Sequence, residues 1–256
     1  MSYKKLMTVE AFLKILKSIE KDYKTVYVYG GIGQIVTNSL LAAKSKQYPG
    51  FYTVNRMARL KKFVNKGYFG FDCVNVIKSI LWGWCGDKKH VYGGAKYASN
   101  TVPDVSANGF IELCTGVSSN FKNIQVGEAV WLSGHIGVYI GNGLVIECSP
   151  RWDNNVQITA CANIGTVEGY HSRKWSKHGK IPWLIYRSTK PSISYFKRCD
   201  QSATSFVDEL QKASFDSSMS SRRKIAAANK ITDYSGTYTQ NSQLLGKMKQ
   251  GKLIKP

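Results

Sequence analysis

Residues 123–150, NIQVGEAVWLSGHIGVYIGNGLVIECSP, hold three short apolar runs in succession, the second and third separated only by Gly141-Asn142-Gly143. Such runs, rich in Val, Ile, Trp and Tyr, are too short for helices and read as strands. A glycine-rich break between two of them reads as a hairpin turn, so the chain must build an antiparallel sheet. The turn also bears on register. With Gly143 in the left-handed position of a three-residue loop, paired residue numbers sum to 284, His135 faces Ser149, and Glu147 lies one diagonal away on the same face. A two-residue loop would shift the sum to 285 and put them on opposite faces; the glycine favours the longer loop.

Helical patterns dominate the chain ahead of this sheet. Residues 1–24 read as an amphipathic helix, with Leu6, Val9, Phe12, Leu13, Leu16 and Ile19 at three- and four-residue spacing. TVYVYGGIG, residues 25–33, reads as a strand ending in a glycine turn, and residues 34–66 as helical at both ends around Tyr48-Pro49-Gly50. GYFGFDCVNVIKSILWGW then predicts a helix in which Asp72 is the N-cap and Cys73 lies in the first turn. Residues 86–120 are turn-rich and weakly patterned, and a last strand is predicted at 181–187, IPWLIYR. Helices followed by an antiparallel sheet give an α+β domain over 1–187. After Arg187 a polar stretch, 188–204, reads as a linker. Beyond it SFVDELQKA, SSRRKIAAANKI and TQNSQLLGKMKQGKL predict a small all-helical module over 205–256.

Charge narrows the partners. Thirty-six Lys and Arg against 16 Asp and Glu give +20, which calls for a polyanion: nucleic acid, an anionic membrane, or the phosphate-bearing polymers of a Gram-positive wall. No run approaches 18 apolar residues, so no transmembrane segment is expected, and the charged N-terminus does not read as a signal peptide. Basic residues are dispersed rather than interleaved with stacking aromatics on one face, which disfavours nucleic acid and leaves a basic nucleic-acid-binding protein as the non-enzymatic alternative. Gly31-Ile32-Gly33 follows a strand, but Val36 stands where a dinucleotide fingerprint needs its third glycine. The six cysteines lack C-x-x-C spacing and scaffold density, so they are expected reduced, with no metal or cofactor.

A cysteine at a helix start meets the positive end of the dipole, which lowers its pKa, and Cys73 is therefore a candidate nucleophile; on spacing alone a cysteine between Phe71 and Val74 is more often a small buried hydrophobe. A nucleophile needs a base and a group to orient that base. His135 opens a strand, whereas His90, His171 and His178 lie in polar, loop-like stretches and read as solvated. Glu147 ends the next strand among apolar neighbours, where a carboxylate is costly without a partner.

Taken in order, Tyr27-Val28-Tyr29-Gly30-Gly31, Phe71-Asp72-Cys73, Gly127-Glu128-Ala129-Val130-Trp131, His135-Ile136-Gly137-Val138-Tyr139-Ile140-Gly141 and Glu147 resemble the NlpC/P60 family of cell-wall cysteine peptidases. The resemblance implies a papain-like core in which Cys73 is the nucleophile, His135 the base and Glu147 the residue that orients it. Tyr27 would contact substrate near the scissile bond, with Asp72 and Tyr29 also on the substrate side. Two departures border the groove: Tyr29 stands where the family has Trp, and Val74-Asn75 where it commonly has Ser-Gly. The insert 34–66 is longer than in compact members, and its MARLKKFVNK run reads either as a contact for an anionic wall or as a solvated basic helix face.

The tail loosely resembles the helical wall-binding modules of phage lysins, through Arg222–Asn229, Tyr234-Ser235-Gly236-Thr237, Gln240-Asn241 and Leu244-Leu245. Together these resemblances imply a bacteriophage endolysin, held in the host cytoplasm until the membrane is breached, that hydrolyses the D-glutamyl–diamino acid bond of peptidoglycan. An N-acetylmuramoyl-L-alanine amidase of the same fold is the alternative.

Overall fold

The computed structural model describes residues 3–186 and 194–256. It divides into two compact units, Met1–Arg187 and Ser188–Pro256. The first is α+β. Its chain runs through β1 (Met7–Thr8), α1 (Val9–Asp22), β2 (Thr25–Tyr27), β3 (Ile32–Ile35), α2 (Asn38–Gln47), α3 (Val54–Lys61), β4 (Phe69–Phe71) and α4 (Asn75–Leu81). It continues through α5 (Ala107–Leu113), β5 (Thr115–Ser118), β6 (Ala129–Leu132), β7 (His135–Gly141), β8 (Leu144–Ser149), β9 (Asn155–Cys161), β10 (Ser172–Arg173), β11 (Lys177–Lys180) and β12 (Leu184–Ile185). A seven-stranded sheet has the order β10-β9-β8-β7-β6-β11-β5; β2, β4 and β3 form a second sheet, and β1 pairs with β12.

Thr8 caps α1 by accepting from the Ala11 N–H at 3.2 Å, and Val9, Phe12, Leu13, Leu16 and Ile19 bury the expected stripe. Leu6 lies ahead of the helix, its N–H donating to the Trp183 carbonyl. Each such buried side chain stabilises by about 1.5–3 kcal/mol. The stripe joins one core with α4, which is buried along its whole length, and with Ala129, Ile136, Val138 and Ile146 of the large sheet. A lysine in so buried a helix needs a partner. The Lys78 ammonium donates to the Asp104 carboxylate and, at 2.8 Å, to the Val105 carbonyl.

Several elements differ from the sequence reading. The segment opening at Gly67 forms β4 before its helix, and Gly70 is bare because a Cβ there would come within 2.9 Å of Val28 Cγ2. Helix α5 and strand β5 arise inside the weakly patterned 86–120. Of the strand predicted at 181–187, residue 187 lies outside the described residues, and among the rest only Leu184–Ile185 pair, in parallel with β1. The large sheet instead takes Lys177–Lys180, between β6 and β5. His178 within that strand is buried rather than solvated. Its Nδ1 meets the Glu128 carboxylate and its Nε2 the Asn120 carbonyl at 3.0 Å.

The second unit holds α6 (Phe206–Lys212), α7 (Met219–Ala228) and α8 (Tyr238–Lys249), capped by Ser205, Ser218 and Thr237. Phe206, Leu210, Ile225, Leu244 and Met248 form its own core. Of the linker expected at 188–204, residues 188–193 lie outside the described residues. From Ser194 onward the chain is packed: Phe196 is buried in that core and its N–H donates to the Leu253 carbonyl at 2.8 Å. Among the described residues no helix is long and apolar enough to cross a membrane.

Candidate active site

Asp72 organises the approach to Cys73. Its Oδ1 accepts from the Asn75 N–H at 2.7 Å and its carbonyl from the Val76 N–H at 3.2 Å, so Asp72 ties down the turn that carries Cys73, while the helix itself begins two residues later than expected, at Asn75 with Val74 in the N-cap position. Asp72 Oδ2 accepts from the Gly30 N–H at 3.0 Å and from Asn75 Nδ2 at 2.8 Å, tying the glycine turn after β2 to the cysteine turn. Burial pushes the Asp72 carboxyl up to about 6 despite these donors.

The hairpin turns on two residues rather than the three expected: Gly141 pairs with Leu144 and closes an Asn142-Gly143 loop whose residues both have positive φ, and a register shift between Tyr139 and Gly141 then brings Gly137 opposite Glu147, Val138 opposite Ile146 and Tyr139 opposite Val145. His135 Nε2 therefore reaches Glu147 Oε2 at 2.6 Å. Glu147 is fully buried, which by itself would raise its pKa, yet His135 and Arg173 hold the carboxyl below the ordinary glutamate range. Arg173 donates from Nε to Oε1 at 2.9 Å and its Nη2 lies 2.9 Å from Oε2; the Thr159 hydroxyl donates to Oε1 at 2.6 Å. Trp175 stacks on the His135 ring with centroids 5.6 Å apart and planes 12° apart. With Nε2 given to the carboxylate, Nδ1 is the nitrogen left to act as a base.

Cys73 is near enough to the start of β7 for the backbone N–H of Ile136, the residue after His135, to favour its thiolate. The lowered thiol pKa expected from its place at a helix start is not found. Burial, then the charge of Asp72, push the thiol up to about 12 against the N–H groups of Ile136, Val74 and Cys73 itself. Burial therefore favours the neutral thiol, and attack by sulfur calls for a base to take its proton.

A pocket of about 560 Å³ opens over this sulfur, lined among others by Cys73, Asp72, Tyr29 and Asn75. Tyr29 is 38% exposed, stacked on Phe51 at 4.4 Å and edge-on to Tyr48 at 4.9 Å. Tyr27 lines a neighbouring groove beside α3, and burial together with Cys73 and Asp72 keeps its phenol protonated. His90 is exposed on Asp87 and His171 is exposed against Trp152, both apart from these groups.

Arg173, Thr159 and Trp175 escaped the sequence reading. Thr159 was within reach of it. Glu147 pairs with Gln157, so Thr159, two residues on, shares its face, and a strand read at 155–161 would have found it. Arg173 meets Glu147 across 26 residues with no local signal.

No protein-family model matches the chain. Over 65 residues the chain is 40% identical to the L-alanyl-D-glutamate peptidase of Listeria phage A118. That stretch is 25% of this chain and 22% of the other, so the chain spans about a fifth of the length of the curated relative it matches. Residues 73–147 number 75, more than the matched stretch, so the likeness cannot contain the whole Cys73, His135 and Glu147 constellation.

Proposed function

We propose that the first unit is a peptidoglycan hydrolase that cuts an amide bond of the stem peptide, with Cys73 as nucleophile, His135 as base and Glu147 holding the imidazole. The observation that carries this reading is the His135–Glu147 contact at 2.6 Å, with Cys73 near the next backbone N–H. A cysteine in the turn that leads into α4, set against a sheet bearing the histidine, also suits a papain-like, NlpC/P60-type core. His135 Nδ1 takes the thiol proton as sulfur attacks the carbonyl carbon, then returns it to the leaving amine. Water, activated by the same nitrogen, hydrolyses the thioester and restores the thiol. Burial disfavours the Cys73 thiolate, so the reaction depends on His135 to take the thiol proton. Glu147 stabilises the imidazolium formed in each half.

The bond ranked first is D-glutamyl–diamino acid. The activity of the phage relative favours the neighbouring L-alanyl–D-glutamate bond, and an amidase would cut one bond earlier. Mass spectrometry of muropeptides released from purified Gram-positive peptidoglycan separates the three. Digestion by Cys73→Ala equal to wild type would remove the mechanism altogether. Within the same reading the second unit is a wall-binding module, the whole acting as a phage endolysin on a wall whose anionic polymers attract a chain of net charge +20.

A further inference from the structure

The pocket above Cys73 contains one feature that hydrolysis of an amide does not require. Helix α2, part of the long insert, places Lys44 in the pocket wall together with Gln47 and Tyr48. The Lys44 ammonium lies over Gly30, where a Cβ would stand 3.3 Å from Nζ. It donates to Gln47 Oε1 at 3.1 Å and lies 5.9 Å from the Tyr48 ring centroid, and among the described residues no carboxylate comes within 4.0 Å of it. The pocket's other lysine, Lys78, is already committed to Asp104. Asn75 adds an independent sign of a missing ligand. It is 5% exposed and lines the same pocket, its Nδ2 is held by Asp72, and its Oδ1 is buried without a donor.

We infer that Lys44 and Asn75 form a subsite for a substrate residue that carries a free carboxylate and an amide N–H close to the scissile bond. A volume of about 560 Å³ admits roughly three extended residues, so a carboxylate on Lys44 and a carbonyl at Cys73 can belong to one short peptide. Burial pulls the Lys44 ammonium below its ordinary pKa, and a bound carboxylate offsets that cost. The inference rests on the stem-peptide reading and deepens it: the protein distinguishes an acidic glutamyl residue from its carboxamide.

The test uses two synthetic stem peptides identical except that the glutamyl α-carboxylate of one is a carboxamide in the other. Wild type should prefer the acid by about tenfold in kcat/KM, chiefly through KM, as one partly buried charge pair supplies. Lys44→Gln should bring the ratio close to one, and Lys44→Arg should keep part of it. Calorimetry of the full chain carrying Cys73→Ala, with and without Lys44→Gln, should show the same preference in binding. Equal cleavage of both peptides by wild type, or an unchanged preference in Lys44→Gln, would overturn the inference while leaving the peptidase reading intact. Preferential binding without any cleavage would do the reverse.

Discussion

Replacing Glu147 by Gln is expected to destabilise the first unit severely, because Arg173, which can only donate, meets both carboxylate oxygens. His135 Nε2 and Arg173 Nη2 converge on Oε2, and the Thr159 hydroxyl and Arg173 Nε on Oε1. A carboxamide offers one acceptor oxygen, and turned either way its NH2 group faces donors. The Arg173 side chain, 10% exposed, also loses its counter-charge. Breaking a buried pair from one side costs about 3–5 kcal/mol. That is a large share of the roughly 5–15 kcal/mol that holds a domain together, and for a unit of this size it lowers Tm by roughly 10 °C. Adding Arg173→Met removes the stranded cation, so the double variant should be about 1–3 kcal/mol more stable than the sum of the singles predicts. All six tryptophans, at 82, 84, 131, 152, 175 and 183, precede the second unit, so urea unfolding followed by tryptophan fluorescence reads the first unit alone in the intact chain. The pH dependence has a definite sign. A carboxyl whose folded pKa is depressed contributes stability that is complete above the ordinary glutamate range and is lost as pH falls through the folded value. The gap between wild type and Glu147→Gln should therefore narrow in acid. Single variants within about 1 kcal/mol of wild type at pH 7, or a strictly additive double, would refute this account of the cradle.

Three further outcomes are expected. Cys73→Ala and His135→Ala should each abolish wall lysis while the protein stays folded, whereas single replacement of Cys85, Cys114, Cys148, Cys161 or Cys199 should leave most of the lytic rate, measured by turbidity loss. With its thiol pushed up to about 12, Cys73 should react with iodoacetamide at pH 7 no faster than a simple thiol, and faster as pH rises; rapid alkylation at neutral pH would show a preformed thiolate. A chain ending at Arg187 should cleave soluble muropeptides but bind whole cells less well, and residues 205–256 fused to a fluorescent protein should decorate those cells; a fusion left in the supernatant would remove the targeting role.

What could be read in the residues depended on how local the determining interaction is. The tail's helices were legible because capping by Ser205, Ser218 and Thr237 and the apolar spacing are contained within each segment. The hairpin itself was legible, but its loop was not: Asn142-Gly143 is a two-residue turn, and His135 and Glu147 share a face only because the pairing shifts between Tyr139 and Gly141, a bulge with no signature in the residues. Strand β11 was not legible: Lys-His-Gly-Lys carries no apolar alternation, and its burial depends on Glu128 and Asn120, 50 and 58 residues away. The cysteine was found by its place at a helix start, but its protonation was misread. Dipole arguments suit a solvated helix end, and here burial outweighs them.

The first unit is closed by joining its two ends. Met7 pairs with Leu184 and Thr8 with Ile185, and the Lys5 ammonium donates to the Pro182 carbonyl 177 residues away. Lys177–Lys180 meanwhile fill the place between two strands made much earlier. Contacts of such sequence separation form slowly, because most of the chain must be brought round before any of them is gained. On the ribosome the sheet that carries His135 stays incomplete until residue 180 has emerged, and the ring of contacts until residue 185. A nascent chain of this protein accordingly lacks the complete sheet beneath His135 and Glu147 through almost all of the first unit's synthesis, and a chain terminated before Lys177 carries Cys73, His135 and Glu147 without the strand that fills that sheet.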